Sequence, residues 1–215
     1  MSELKDFQKT FIELALESNA LEFGEFILKS GRSSPYFFNA AKMLSGCDLY
    51  KLANCYVDAI EEADLAFDCL YGPAYKGIFL GSIVAMIYSQ RGTPCPVSFN
   101  RKEIKDHGEG GNIIGANPSG NVLIIDDVLS AGTAAKESIE TIKSLHAIPK
   151  LFVVGLDRQE KGNGELSAKE ELENNFNIAV TSIIDLGALI RFSNNNKNFN
   201  SYVSLLEKYR DSWGA

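Results

Sequence analysis

The chain has 215 residues, 45% of them apolar and 23% charged, and its 28 acids against 21 lysines and arginines leave a net charge of −7. That is enough chain for one α/β domain with an appended element, and the composition of an ordinary soluble globular protein. The acidic balance argues against bulk nucleic-acid binding, and no apolar run approaches the ~20 residues that span a bilayer.

The N-terminal MSELKDFQKTFIELAL is amphipathic and carries acids, unlike a signal or transit peptide. Leu4, Phe7, Phe11, Leu14 and Leu16 stand near helical spacing, so residues 4–18 are expected to form a first helix. In LEFGEFILKSGRSSPYFFNAAKML, Gly24, Gly31 and Pro35 exclude a helix, while Phe23, Phe26, Leu28 and residues 36–38 suit strands. A hairpin with its turn at residues 30–35 is expected, flanked by Lys29 and Arg32, which standing alone would be solvated turn charges.

Residues 46–62 place Leu49, Leu52, Ala53, Tyr56, Val57 and Ile60 on one side of a second helix. A strand at 67–71, a GPAYKG turn and a helix at 78–88 follow. Tyr75 and Lys76 stand at that helix's entrance, where a cation opposes the dipole and a bound anion would compensate it. After a strand at 96–100, RKEIKDHGEGG (101–111) is polar, Gly-rich and almost without apolar anchors, the composition of a mobile loop. Arg101, Lys102, Lys105 and His107 give it cations that could close over a polyanion.

The stretch NVLIIDDVLSAGTAAKESIE (121–140) follows a turn at 117–120. Four apolar residues, 122–125, read as a strand buried on both faces. Asp126 and Asp127 come next, then the small residues Ser130, Ala131, Gly132, Thr133 and Ala134, then a helix over 132–146 with Ile139, Ile142 and Leu145 on one stripe. A small-residue turn at a helix N-terminus leaves backbone N–H groups for a phosphate, and two acids beside it suit ribose hydroxyls or a magnesium-bound group.

Residues 150–156 are another buried strand, with Arg158 just past its end, on the side where open α/β sheets bind ligands. A short acidic helix, a last strand at 178–184 and two short tail helices split by an Asn-rich loop complete the chain. Alternating strands and helices predict a right-handed, doubly wound α/β sheet. Cys47, Cys55, Cys69 and Cys95 lack CxxC spacing and read as reduced thiols of a cytoplasmic protein; with two histidines and no His/Cys cluster, a zinc site is not expected.

The acid pair followed by SAGTA resembles the PRPP-binding motif of type I phosphoribosyltransferases. Through FGEFILKSGRSSPYFFNA, LYGPAYKGI, FNRKEIKDHGEGG, IIDDVLSAGTA and LDRQEKG, nearly the whole chain resembles the orotate phosphoribosyltransferase family, the 101–111 loop being the most specific piece. The resemblance implies a type I phosphoribosyltransferase fold: a central, mainly parallel sheet flanked by helices, a PRPP-binding core at about 65–160, a hood from about 1–45 with part of the C-terminal region, and a flexible loop. It implies transfer of phosphoribosyl from PRPP to orotate in pyrimidine synthesis, with Mg²⁺ held mainly through PRPP rather than by protein side chains, in a homodimer that shares its active sites.

Carried over, Lys29, Phe37 and Phe38 belong to the hood over orotate, Tyr75 and Lys76 lie near the pyrophosphate, and Arg101, Lys102, Lys105 and His107 are the loop cations. Asp126 and Asp127 meet the ribose hydroxyls, residues 130–134 hold the 5′-phosphate, and Arg158 pairs with orotate. Ser130 departs from the usual Thr, keeping the hydroxyl and losing a methyl. Two alternatives share the motif: transfer to another base, and a PRPP-sensing regulator that binds RNA, which a chain of net charge −7 disfavours.

Overall fold

The computed structural model describes residues 3–28, 30–101, 112–161 and 164–215. Helix α1 (Asp6–Glu17) is followed by an antiparallel hairpin, β1 (Leu21–Ile27) and β2 (Ser33–Phe38). The hairpin turn is earlier than its Ser/Pro composition suggests: Leu28 N–H donates to the Arg32 carbonyl, and Pro35 lies inside β2. Helix α2 (Leu49–Glu62) begins three residues later than its apolar spacing predicts. Residues Ala40–Ser45 form a 3-10 turn, Gly46 takes φ +120°, and the Asp48 side chain caps Lys51 N–H, which sets the helix start.

The main sheet contains β3 (Cys69–Tyr71), β4 (Val97–Asn100), β5 (Ile113–Gly115), β6 (Asn121–Leu129), β7 (Ile148–Asp157) and β8 (Ala179–Asp185), in the order β5-β4-β3-β6-β7-β8. All neighbours pair in parallel except β5, a short antiparallel edge that the apolar pattern at Ile113 and Ile114 did not disclose. Helix α3 (Lys76–Gln90) joins β3 to β4, while α4 (Thr133–Ser144) and α5 (Ala168–Phe176) lead from β6 to β7 and from β7 to β8. The strand order therefore reverses between β3 and β6, and the two turns leaving these strands flank the switch point where open α/β sheets form ligand sites.

Strand β6 explains its run of apolar residues. Leu123 and Ile125 join the core made by α1, α2 and α3, whereas Val122 and Ile124 join the core under α4 and α5. Both faces are covered, as a buried parallel strand requires. Ile139 and Ile142 of the α4 stripe are buried there, but Leu145 follows the helix end and stays exposed.

The acids do not sit beyond the strand. Strand β6 runs on through them to Leu129, because β7 extends alongside and supplies partners, Asp126 opposite Val154 and Leu129 opposite Asp157. Backbone pairing overrides the weak strand propensity of aspartate.

The chain ends in α6 (Leu186–Asn195) and α7 (Val203–Trp213), and α7 returns to pack on β2. Among the described residues no helix is long and apolar enough to cross a membrane, and all four cysteines are free.

Candidate active site

The turn after β3 is built by close backbone approach. A Cβ on Gly72 would lie 2.0 Å from the Gly77 carbonyl oxygen, so only glycine lets the chain fold back onto the first turn of α3. The Ala74–Tyr75 peptide is cis, and Ala74 N–H donates to Asn100 Oδ1 at 2.9 Å. Tyr75 is exposed, while Lys76 turns inward and its Nζ meets Asp127 Oδ2 at 2.5 Å. The cation at this helix entrance thus has Asp127 as a counter-charge.

Asp127 is buried, and its N–H donates to Asp126 Oδ1 at 2.9 Å. Tyr56 reaches across from α2 to donate to the Asp126 carbonyl at 3.1 Å. Burial first, and then the Asp127 charge, push the Asp126 carboxyl up to about 7. A carboxyl raised on folding stabilises the folded state least above its folded pKa, and its penalty fades as pH falls from about 7 towards the unfolded value near 4. Asp126→Asn is therefore expected to raise the thermal midpoint at pH 8, by the equivalent of about 1–2 kcal/mol, with the difference from wild type closing as pH falls towards 4. Scanning calorimetry across that range checks it; a difference independent of pH would show that Asp126 is not the strained acid.

Beyond β6, Ser130, Ala131, Thr133 and Ala134 are exposed, and Gly132 takes φ +75° as the residue preceding α4. Gly132 supplies no capping side chain, so the first N–H groups of this helix are not used by one, which suits a phosphate.

A cavity of about 700 Å³ opens beside this turn. Its lining includes Ser130, Ala131 and Lys76 together with Ile27, Phe37, Phe38 and Arg158. Phe37 is half exposed and stacks on Phe26 across the hairpin, ring centroids 5.5 Å apart. Tyr75, Arg101, Asp126, Asp127, Gly132, Thr133 and Ala134 are not among the lining residues. Arg101 continues the strand pairing, donating its N–H to the Asn112 carbonyl at 2.8 Å. Lys29, Lys102, Lys105 and His107 lie outside the described residues.

Arg158 is not a solvated side chain at a strand end. It is 6% exposed, its Nε donates to Glu160 Oε1 at 2.5 Å, and its Nη2 donates to Ser34 Oγ at 3.1 Å and Tyr209 Oη at 3.0 Å. Its guanidinium lies 4.3 Å over the Tyr36 ring. Nor is Arg32 a solvated turn charge: Nη1 meets Glu160 Oε2 at 2.9 Å, and the group lies 4.8 Å over Trp213. Sequence reasoning singled out neither Glu160 nor Tyr209. A signal was present in the tail, where Tyr202, Leu206, Tyr209 and Trp213 recur at spacings of four, three and four.

No protein-family model matches the chain. It is 50% identical over 212 residues to an orotate phosphoribosyltransferase of Marinobacter nauticus, covering 99% of this chain and all of that protein. An enzyme of the same name from Haemophilus influenzae is 45% identical over 213 residues, again covering 99% of this chain and all of the relative. Among solved structures, an orotate phosphoribosyltransferase from Francisella tularensis superposes with a TM-score of 0.84 at 37% identity, covering 95% of this chain and 99% of that one.

Proposed function

The chain belongs to the orotate phosphoribosyltransferase family, and from that premise we infer that it transfers the 5-phosphoribosyl group of PRPP to orotate, giving orotidine 5′-monophosphate and pyrophosphate in de novo pyrimidine synthesis. The observation that carries this reading in the geometry is one cavity running from the turn at the head of α4 to the aromatic pocket around Arg158. Ser130 and Ala131 of the turn line this cavity with Lys76, Arg158, Phe37 and Phe38, a set of groups that suits a phosphate and a planar, anionic base.

Displacement of pyrophosphate builds positive charge on the ribose and negative charge on the leaving group, and needs no covalent nucleophile. In this reading the SAGTA turn, residues 130–134, holds the 5′-phosphate, and Asp126 and Asp127 meet the ribose hydroxyls. Tyr75 and Lys76 face the pyrophosphate end. Phe37 and Phe38, with Lys29, cover the base, and Arg158 pairs with its carboxylate. Residues of about 1–45 and part of the C-terminal region serve as the hood over a core at about 65–160, a division supported by the packing of α7 on β2. Arg101, Lys102, Lys105 and His107 neutralise the departing charge, with His107 as an acid on the leaving group; their support is the resemblance of the 101–111 loop.

Among the described residues no group of three or more acids, histidines or cysteines converges as a metal site. In this reading a hydrated Mg²⁺ would be carried mainly by the oxygens of PRPP, with Asp126 and Asp127 as the acids beside it. Such an ion would supply positive charge to the leaving pyrophosphate. A cytoplasmic location is part of this reading, and the free cysteines accord with it.

An orotate-depletion assay with PRPP and Mg²⁺ tests the activity, with uracil, adenine and hypoxanthine as competing bases; turnover of one of these and not of orotate would overturn it. The shared-site homodimer is tested by mixing subunits. Asp127→Ala and the double variant Lys102→Ala, Lys105→Ala should each be nearly inactive. With exchange confirmed by mass spectrometry of tagged chains, about half the dimers are mixed and each holds one intact site, so activity should return to roughly a quarter of wild type. Activity that stays at the parents' level would show that each chain completes its own site.

A further inference from the structure

Arg158 offers five N–H donors, and three of them are already used. The Nε–H goes to Glu160 Oε1 at 2.5 Å, and the two Nη2 hydrogens go to Ser34 Oγ at 3.1 Å and Tyr209 Oη at 3.0 Å. Nη1 has no hydrogen-bond partner among the described residues, and Arg158 lines the cavity. The hydroxyls have no freedom to turn away. Tyr209 donates to Glu160 Oε1 at 2.6 Å, and Ser34 donates to the Tyr36 carbonyl at 2.7 Å, so both present lone pairs to Arg158. With Tyr36 stacked at 4.3 Å, the guanidinium plane is fixed on one face and along two edges.

We propose that Glu160 and Tyr209 are positioning residues that hold Arg158 with one terminal nitrogen towards the cavity, so that the C-terminal helix α7 is a working part of the base site. This rests on the reading of Arg158 as the partner of orotate. Two features beyond the hydrogen bonds support it. Buried ion pairs add little net stability, so one beside a binding cavity is better explained by orientation. Glu160 also takes Arg32 on its other oxygen at 2.9 Å, and two guanidiniums against one carboxylate leave this cluster with 2 − 1 = +1, a match for a single carboxylate substituent. The end of α7 is tied down beside it: Lys161 N–H donates to the Trp213 carbonyl at 2.8 Å, and Ala215 N–H to the Gln159 carbonyl at 3.2 Å.

The test is steady-state kinetics on Tyr209→Phe, Glu160→Gln, Arg158→Ala and the double variant of Tyr209→Phe with Arg158→Ala. Tyr209→Phe removes one oxygen and keeps the ring, so the fold should survive. It is expected to raise the orotate KM about three- to tenfold, the net worth of one ordinary hydrogen bond because Tyr209 acts on orotate only through Arg158, and to leave the PRPP KM within about twofold. Glu160→Gln should act in the same direction. Both should narrow the preference for orotate over its neutral carboxamide as an inhibitor, which a structural lesion would not do. In the Arg158→Ala background Tyr209→Phe should add nothing to the orotate KM. Should Arg158→Ala raise both Michaelis constants equally, the reading of Arg158 falls and the proposal falls with it. Should Arg158→Ala act on orotate alone while Tyr209→Phe keeps its full effect in that background, or shifts both substrates alike, the reading stands and the positioning role is overturned.

Discussion

Asp127→Asn is expected to lower turnover by about 10²-fold or more, as removal of one well-placed charged group at a reacting centre does, while leaving the thermal midpoint within a few degrees of wild type. The second half of that expectation has a different basis from the one its sequence position suggests. An acid on an exposed strand end would be dispensable to the core, but Asp127 is buried and paired with Lys76. The substitution keeps an oxygen for Lys76 and loses the attraction between full charges. Against that loss, the Asp127 charge is one of the causes that raise the Asp126 carboxyl, and neutralising it relieves Asp126. The two effects oppose each other, so the net change in stability is expected within about 1 kcal/mol, a few degrees in a domain of this size. Turnover and calorimetry on the same preparation decide it. Full activity would remove Asp127 from the ribose site, and a collapse of the midpoint would make it a structural residue.

Arg158→Ala is expected to raise the orotate KM about ten- to a hundredfold and the PRPP KM far less, the loss of a charge-assisted contact worth ~1.5–3 kcal/mol. It also leaves Glu160 with one guanidinium instead of two and removes the group stacked on Tyr36. Breaking a buried ion pair from one side typically costs about 3–5 kcal/mol, though Arg32 and Tyr209 still serve Glu160, so the fall should sit at the lower end. KM values must therefore be measured below the lowered midpoint. An equal loss for both substrates would place Arg158 in the scaffold alone.

The signals that were legible in the chain are the local ones. Four apolar residues at 122–125 required a strand covered on both faces, and Leu123 and Ile125 do face one core while Val122 and Ile124 face the other. The small residues after it required an open helix start, and α4 begins at Thr133 with no capping side chain. The capping box of Ser167 and Glu170 that starts α5 is as local, though sequence reasoning did not single it out. Periodicity, caps and turn residues act within a few positions, so one chain segment suffices to reveal them.

What only the tertiary structure decided depends on partners far away in sequence. β6 extends through its two aspartates because β7 lies alongside, and Lys76, 51 residues distant, supplies the charge that lets Asp127 be buried. The sheet order that brings the GPAYKG and SAGTA turns to one switch point is likewise a matter of which strands pair. Arg158 stood in the sequence as a cation past a strand. Ser34, 124 residues before it, and Tyr209, 51 after it, make it a fixed one. Hydrogen bonds and ion pairs of that kind carry no local period, and they exist only once burial has brought the hairpin and the last helix against the same end of β7.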